Sequence, residues 1–92
     1  MYVVFILEEA LEDLTTIVAH ISAENVAAGE TLGNELIDEA MSLELMPYRG
    51  SVVKKQPALR KLFHGNYMVY YRIKELEKAV QIVSFVHGAQ IK

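Results

Sequence analysis

The sequence predicts an α+β domain with the element order β-α-α-β-β-β, in which a helical hairpin packs on one face of a small, mainly antiparallel sheet. Three observations predict it. A β-branched and aromatic run occupies residues 2–6, two apolar stripes at helical spacing follow, and three strand-like segments lie within residues 58–86. A chain of 92 residues suits one hydrophobic core, so residues 1–92 are assigned to a single domain.

The opening run predicts a short buried strand, and the helical pattern starts directly after it. The first apolar stripe repeats every three or four residues from Leu7 to Ile21, and it includes Leu11. The second stripe runs from Ala28 to Leu43 and ends before Pro47. A break at residues 22–26 separates the two helices, and it is short enough to predict an antiparallel hairpin.

Three small polar or glycine residues near the break predict how this hairpin is built. Asn25 stands where a residue can cap the second helix with its side chain. Gly29 and Gly33 lie four apart inside that helix, where each costs about 1 kcal/mol against alanine. We therefore expect them to allow a close approach of the first helix.

The second half of the chain predicts a meander of three strands. Residues 48–57 are predicted to form a loop, and strands are expected at 58–63, 67–73 and 80–86 with turns at 64–66 and 74–78. Alternation along the middle strand predicts two faces. The face expected to pack on the helices carries Tyr67, Val69, Tyr71 and Ile73, and the open face is expected to carry Met68, Tyr70 and Arg72 together with Arg60.

Composition excludes several classes of site. The chain has no cysteine, so disulfides, thiolate nucleophiles and Cys-ligated metals are excluded, and neither a metal nor a cofactor is predicted. The longest apolar run, residues 3–7, is too short to span a bilayer, and no basic segment precedes it as in a signal peptide. A cytoplasmic protein without a membrane partner is expected.

Charge divides the sequence into two halves. Residues 1–46 contain ten Asp and Glu and no Lys or Arg, whereas residues 47–92 contain nine Lys and Arg against two Glu. The helices should therefore be acidic and the strands basic. Pairs of opposite charges usually stabilise helices, so the absence of Lys and Arg from the helical half is not explained by helix stability. The separation of the charges therefore favours a functional basic surface.

Several short motifs give this sequence a family resemblance. They are Leu59-Arg60, Asn66-Tyr67, Tyr71-Arg72-Ile73 and the segment at 86–89, "VHGA". With the strand and helical hairpin before them, these motifs resemble the RelE/ParE superfamily, the toxins of bacterial type II toxin–antitoxin pairs. The resemblance implies the same fold, a cognate antitoxin as partner, and one of two activities. RelE-like members cut messenger RNA in the ribosome, and ParE-like members block DNA gyrase.

If the chain is RelE-like, the resemblance implies an endoribonuclease whose candidate catalytic residues are Arg60, Lys61 and His87. RNA cleavage needs cations around the developing phosphorane charge and a group that transfers protons. In the RelE branch an Arg commonly occupies the position of Met68, which cannot donate to a phosphate oxygen. The chain is also acidic overall, which disfavours ribosomal RNA. His87 can instead be an ordinary strand-end residue bonded to a backbone carbonyl.

The ending favours the ParE branch, which implies a non-enzymatic inhibitor of gyrase. Gln90 stands where that branch commonly has Arg, and Val26 stands where Pro is frequent. A decayed toxin that retains only antitoxin binding is a further alternative. His20 and His64 are expected to be plain surface residues.

A contact surface for the antitoxin or the target is expected on the basic half. Its candidate residues are Arg49, Lys54, Lys55, Arg60, Tyr70, Arg72 and His87. An acidic antitoxin segment should be attracted to residues 49–61 and should add as a strand to a sheet edge. The oligomeric state is left open between a homodimer and a toxin–antitoxin heterotetramer.

Overall fold

The computed structural model describes residues 1–88, so Ala89 of the family motif and Gln90, which stands in place of the common Arg, lie outside the described residues. Its elements are β1 (Val3–Ile6), α1 (Glu8–Ser22), α2 (Val26–Met41), β2 (Ser51–Val53), β3 (Gln56–His64), β4 (Tyr67–Lys74) and β5 (Ala79–His87). Two 3₁₀ turns, Ser42–Glu44 and Pro47–Arg49, connect α2 to β2. The predicted α+β class and helical hairpin are confirmed.

The strands form one five-stranded sheet in the order β1-β5-β4-β3-β2. β1 runs parallel to β5, and the other three pairs are antiparallel. A register shift between Tyr70 and Tyr71 leaves Val83 as an extra residue on β5. The helical hairpin covers one face of this sheet, as predicted.

The helical hairpin has the cap and the close helix packing that the sequence predicts. The Asn25 side chain accepts a hydrogen bond from the Ala28 amide at 3.0 Å and caps α2. Gly29 and Gly33 are both buried against α1. A Cβ at Gly29 would overlap Ser22 Oγ, and one at Gly33 would lie 3.0 Å from Val18 Cγ2. The two glycines therefore allow the close approach.

The core lies between the hairpin and the middle of the sheet. Its fully buried large side chains are Tyr71, Leu36, Leu43, Ile82, Val69 and Val80. Tyr67 and Ile73 pack partly buried against this cluster, so the predicted helix-facing side of β4 is confirmed. No helix within residues 1–88 is long and apolar enough to cross a membrane.

Three expectations about these elements are wrong. The segment 48–57 is not only a loop, because Ser51–Val53 pair with β3 as an edge strand. β1 is an edge strand whose Val3 and Phe5 are exposed, because the helices cover only its other face. Leu11 is exposed and Ala10 is buried in its place, whereas Leu14 and Val18 of the predicted stripe do pack in or against the core.

Candidate functional site

The open face of the sheet is the side that the helices do not cover. Lys61 and Phe63 of β3 lie opposite Tyr70 and Met68 of β4, and these four residues share this face. The Lys61 ammonium lies 5.5 Å from the centre of the Phe63 ring, and the Tyr70 hydroxyl points to Met68 Sδ at 3.8 Å. Aromatic and cationic groups therefore lie side by side on a surface that can contact a protein or a base.

Arg72 belongs to the same open face but is already engaged. It lies opposite Gln81 of β5, and its Nε donates to Gln81 Oε1 at 2.7 Å. Because one side of its guanidinium is held in this way, Arg72 presents its remaining donors from a fixed position. Phe5 of the edge strand lies opposite Gln81 and extends this face with an exposed aromatic ring.

The prediction that Arg60 lies on the open face is wrong. Arg60 lies directly opposite Tyr71, whose side chain is in the core, so Arg60 extends on the helix-covered side. Its NH1 donates to the Gly50 carbonyl at 2.7 Å and to the Tyr48 carbonyl at 3.4 Å. Arg60 and Arg72 therefore lie on opposite faces, and the expected single cationic surface is not formed.

Arg60 is one of several groups that fix the connection from the helices to the sheet. The Tyr71 hydroxyl donates to the Pro47 carbonyl at 2.7 Å and accepts from the Gly50 amide at 2.9 Å. Burial raises the pKa of Tyr71, although the Gly50 amide and the nearby Arg60 and Arg49 charges act in the opposite direction. Tyr71 thus remains a neutral phenol that can both donate and accept.

The other basic candidates of this region differ in what they contact. Arg49 binds back to the helices, because its NH2 lies 3.1 Å from Glu39 Oε2 and its Nε donates to Ser42 Oγ at 3.1 Å. Lys54 and Lys55 form the exposed turn between β2 and β3. These two lysines are the part of the predicted surface that extends into solvent at the edge of the sheet.

His87 lies apart from the arginines, at the end of β5. It is paired with Tyr67 across the sheet, and the two ring centres are 4.8 Å apart. Both rings line a cavity of about 280 Å³ together with Asp13, Thr16, Ile17, His20 and Phe85. His20 is exposed, as expected, and it also lines this cavity.

Asp13 joins this cavity to the sheet. Its Oδ2 accepts from the Ser84 hydroxyl at 2.8 Å and from the Phe85 amide at 3.2 Å. β1 pairs with β5 only as far as Ile82, so it provides no acceptor for the Phe85 amide. The carboxylate of Asp13 accepts this hydrogen bond in place of a neighbouring strand. Asp13, Thr16 and His20 are spaced by three and four residues, which is a polar stripe that the sequence could have revealed.

A second polar cluster, also not predicted, surrounds Glu75 in the β4–β5 turn. Lys78 Nζ and the Tyr2 hydroxyl donate to its Oε1 at 2.7 and 2.6 Å, and the Tyr48 hydroxyl donates to its Oε2. These bonds, above all the one from Lys78, lower the pKa of Glu75 to about 2. The bond to Glu75 raises the pKa of Tyr48 to about 12. This cluster has no local signature in the sequence, because Tyr2 and Glu75 are 73 residues apart.

His64 also has a partner that the sequence did not indicate. Its Nε2 lies 3.0 Å from Glu35 Oε1, which joins the end of β3 to α2. Within residues 1–88 there is no cluster of His, Asp and Glu that could hold a metal ion.

Comparison with known proteins identifies the family of this chain. Residues 4–92 match the model of the ParE toxin of the type II toxin–antitoxin system parDE. The chain belongs to the ParE toxin family. It is a toxin of the type II toxin–antitoxin class, as the motifs around Tyr71 and His87 indicate. No curated protein sequence matches the chain significantly.

Solved structures confirm the fold of this ParE family member. The chromosomal ParDE system of P. aeruginosa aligns with a TM-score of 0.81 at 18% identity, over 95% of this chain and 96% of that chain. The RelBE2 complex of Mycobacterium tuberculosis gives 0.70 at 24% identity, over 94% and 96%. The intact E. coli RelBE complex gives 0.72 at 15% identity, over 95% and 96%. All three are toxin–antitoxin systems.

Proposed function

We propose that this chain is a ParE-like toxin that arrests growth by inhibiting DNA gyrase through a protein contact, and that a cognate antitoxin neutralises it. The family match supplies the class of toxin. The choice of gyrase over RNA rests on the positions of the groups that RNA cleavage would need.

The observation that carries the proposal is that Arg60, Lys61 and His87 do not converge. Arg60 and Lys61 are consecutive in β3, so their side chains leave opposite faces of the sheet. Arg60 pairs with Tyr71 and His87 with Tyr67, four residues apart on β4, which is about 13 Å at 3.3 Å per residue. One scissile phosphate cannot contact all three groups.

Met68 supports the same conclusion. It is 7% exposed and lies between Phe63 and Val86 on the neighbouring strands. It fills the position at which the RelE branch commonly has Arg, and a thioether donates no hydrogen bond to a phosphate. The middle of the open face is therefore apolar and aromatic.

Charge also favours a protein target. The ten carboxylates of residues 1–46 lie in the two helices, in the turn between them and in the following 3₁₀ turn. This acidic layer would repel ribosomal RNA. Of the described arginines, Arg49 and Arg60 are bonded within the chain on the helix-covered side. An open face on which Lys61 lies beside Tyr70, Phe63 and Met68 suits a protein contact better.

The test is a supercoiling assay with purified gyrase and purified toxin. Wild-type protein should inhibit supercoiling at micromolar concentration, and Tyr70→Ala together with Lys61→Ala should weaken inhibition at least tenfold. Thr31→Ala, on the exposed surface of α2, is the matched control and should inhibit like the wild type. Absence of inhibition by the wild type at tens of micromolar would refute the proposal.

For the antitoxin we propose an acidic segment that adds as a strand to the free edge of β2. Among residues 1–88, the three residues of β2 pair with β3 on one side only, and Lys54 and Lys55 follow directly. An unpaired strand edge beside two exposed cations suits such a segment. Binding should weaken as salt is raised from 50 to 500 mM, and Lys54→Glu with Lys55→Glu should reduce this salt dependence. An affinity that is constant across that range would contradict the charge argument.

A further inference from the structure

The cavity of about 280 Å³ lies between α1 and the edge of the sheet where β4 begins and β5 ends. The contacts proposed above for gyrase and for the antitoxin do not use it. Tyr67 and His87 border it from the sheet, and Asp13, Thr16 and His20 border it from α1. Because pockets for drug-sized ligands measure about 300–1,000 Å³, this cavity suits a single amino-acid side chain.

Asp13 brings a negative charge without a counter-ion to the cavity. Its Oδ2 is held by the hydrogen bonds from Ser84 and Phe85, whereas its Oδ1 accepts no hydrogen bond from residues 1–88. Within the same part of the chain, no Lys, Arg or His forms an ion pair with this carboxylate. Glu9, one turn earlier in α1, adds to the negative potential. A half-buried carboxylate in this position attracts a cation.

The rest of the lining suits a flat cation. The centres of the Tyr67 and His87 rings lie 4.8 Å apart, and the rings are tilted by 51°. Aromatic faces attract cations, and the planar guanidinium group of arginine stacks on them and is more weakly hydrated than an ammonium group. The hydroxyl of Thr16 and the imidazole nitrogens can accept hydrogen bonds from such a group. Among the described residues, the lining contains no Lys or Arg that would repel it.

The edge of β5 at this cavity does not favour the addition of a strand. β1 pairs with β5 only as far as Ile82, and beyond that point the Phe85 amide already donates to Asp13. A strand added here would have to break this hydrogen bond. A partner therefore gains more from a side chain that enters the cavity and pairs with the open carboxylate oxygen.

We propose that this cavity binds the guanidinium group of an arginine side chain from a protein partner. The guanidinium group pairs with Asp13 Oδ1 and lies against the rings of Tyr67 and His87. The aliphatic part of the side chain contacts Ile17 and Phe85 in the lining. The small volume suits a side chain whose backbone stays at the surface, as in a polypeptide. This pocket does not depend on whether the toxin acts on gyrase or on RNA.

Chemical-shift mapping on the ¹⁵N-labelled full chain tests this proposal. The probe is N-acetyl-arginine N-methylamide, an arginine residue without terminal charges. It should shift the amide signals of Thr16, Phe85 and His87 in a saturable way, with a Kd of about 1–10 mM for so small a ligand. The citrulline analogue has a similar shape but no charge, and it should bind about tenfold more weakly.

Asp13→Asn is the variant that removes the charge alone. The amide oxygen of Asn can still accept from Ser84 and Phe85, so the fold is retained. This variant should bind the arginine probe about tenfold more weakly. Tyr67→Leu should weaken binding about threefold, because leucine has no aromatic face. Asp38→Asn, on the exposed side of α2, is the matched control and should bind like the wild type.

The pocket assignment fails on any of three results. The first is the absence of saturable shifts at the cavity of the wild type up to about 50 mM probe. The second is equal affinity for the arginine and citrulline probes, or for the wild type and a folded Asp13→Asn variant, because the carboxylate would then contribute nothing. The third is tighter binding of free L-arginine than of the capped probe, because the occupant would then be a free amino acid.

Discussion

The amide of Gly50 donates a buried hydrogen bond of 2.9 Å to the hydroxyl of Tyr71, 21 residues further along the chain. The same hydroxyl donates to the Pro47 carbonyl. One phenol in the core thus holds the segment that leads from the helical layer into the sheet. β3 gives this segment further support, because Arg60 donates to the Gly50 carbonyl.

Tyr71→Phe should therefore destabilise the fold by about 1–3 kcal/mol, because it leaves a buried amide and a buried carbonyl without their partner. Urea unfolding monitored by circular dichroism measures the change. Tyr70→Phe is the control, since the Tyr70 hydroxyl contacts only Met68 Sδ at 3.8 Å within the described chain. Equal stabilities of the two variants would contradict the role given to Tyr71.

The two buried glycines of α2 should respond differently to alanine. A Cβ at Gly29 overlaps Ser22 Oγ and lies 3.0 Å from the Val18 carbonyl oxygen, whereas one at Gly33 meets only Val18 Cγ2. Overpacking costs about 1–3 kcal/mol, and helix propensity returns about 1 kcal/mol. We expect Gly29→Ala to be destabilising and Gly33→Ala to be close to neutral in urea unfolding. The reverse order would show that the helices do not meet as described.

Asp13→Ala should destabilise the chain by about 1–3 kcal/mol, because the Phe85 amide and the Ser84 hydroxyl lose their acceptor. Hydrogen exchange gives a local measurement: the Phe85 amide should exchange faster than in the wild type, while core amides of β4 change less. Asp38→Ala, on the exposed side of α2, is the control. Unchanged exchange at Phe85 would show that Asp13 does not cap this strand edge.

Glu75 should stabilise the fold over most of the pH range. Its folded pKa, about 2, is below its ordinary value of 4.5, so its contribution is fully present above about pH 4.5 and is lost as pH falls through 2. Glu75→Gln should therefore lower the Tm at pH 7, and the difference from the wild type should shrink between pH 4.5 and 2. A Tm difference that stays constant over this interval would contradict the assignment.

Local patterns predicted most of the fold because they act over a few residues. Each of these patterns depends only on residues that are close in sequence. Examples are the Asn25 cap, the two glycines of α2 and the alternation from Tyr67 to Ile73. The sequence does not predict β2, because three residues at an edge carry little periodic signal and their pairing depends on β3.

The site was predicted less well, since side-chain partners come from distant segments. The face on which Arg60 lies cannot be predicted from nearby residues, because it is set by the register that places Arg60 opposite Tyr71. The hydrogen bonds from Tyr2 and Tyr48 to Glu75 likewise depend on the tertiary structure, which brings three distant segments together. Neither feature has a local signature in the sequence.

The most direct test of the account is to induce the toxin in cells and to follow plasmid topology and messenger RNA 5′ ends in the same culture. The account predicts that a reporter plasmid loses negative supercoils before growth stops, while the pattern of 5′ ends stays as in the uninduced culture. New 5′ ends within coding regions, together with unchanged plasmid topology, would contradict it.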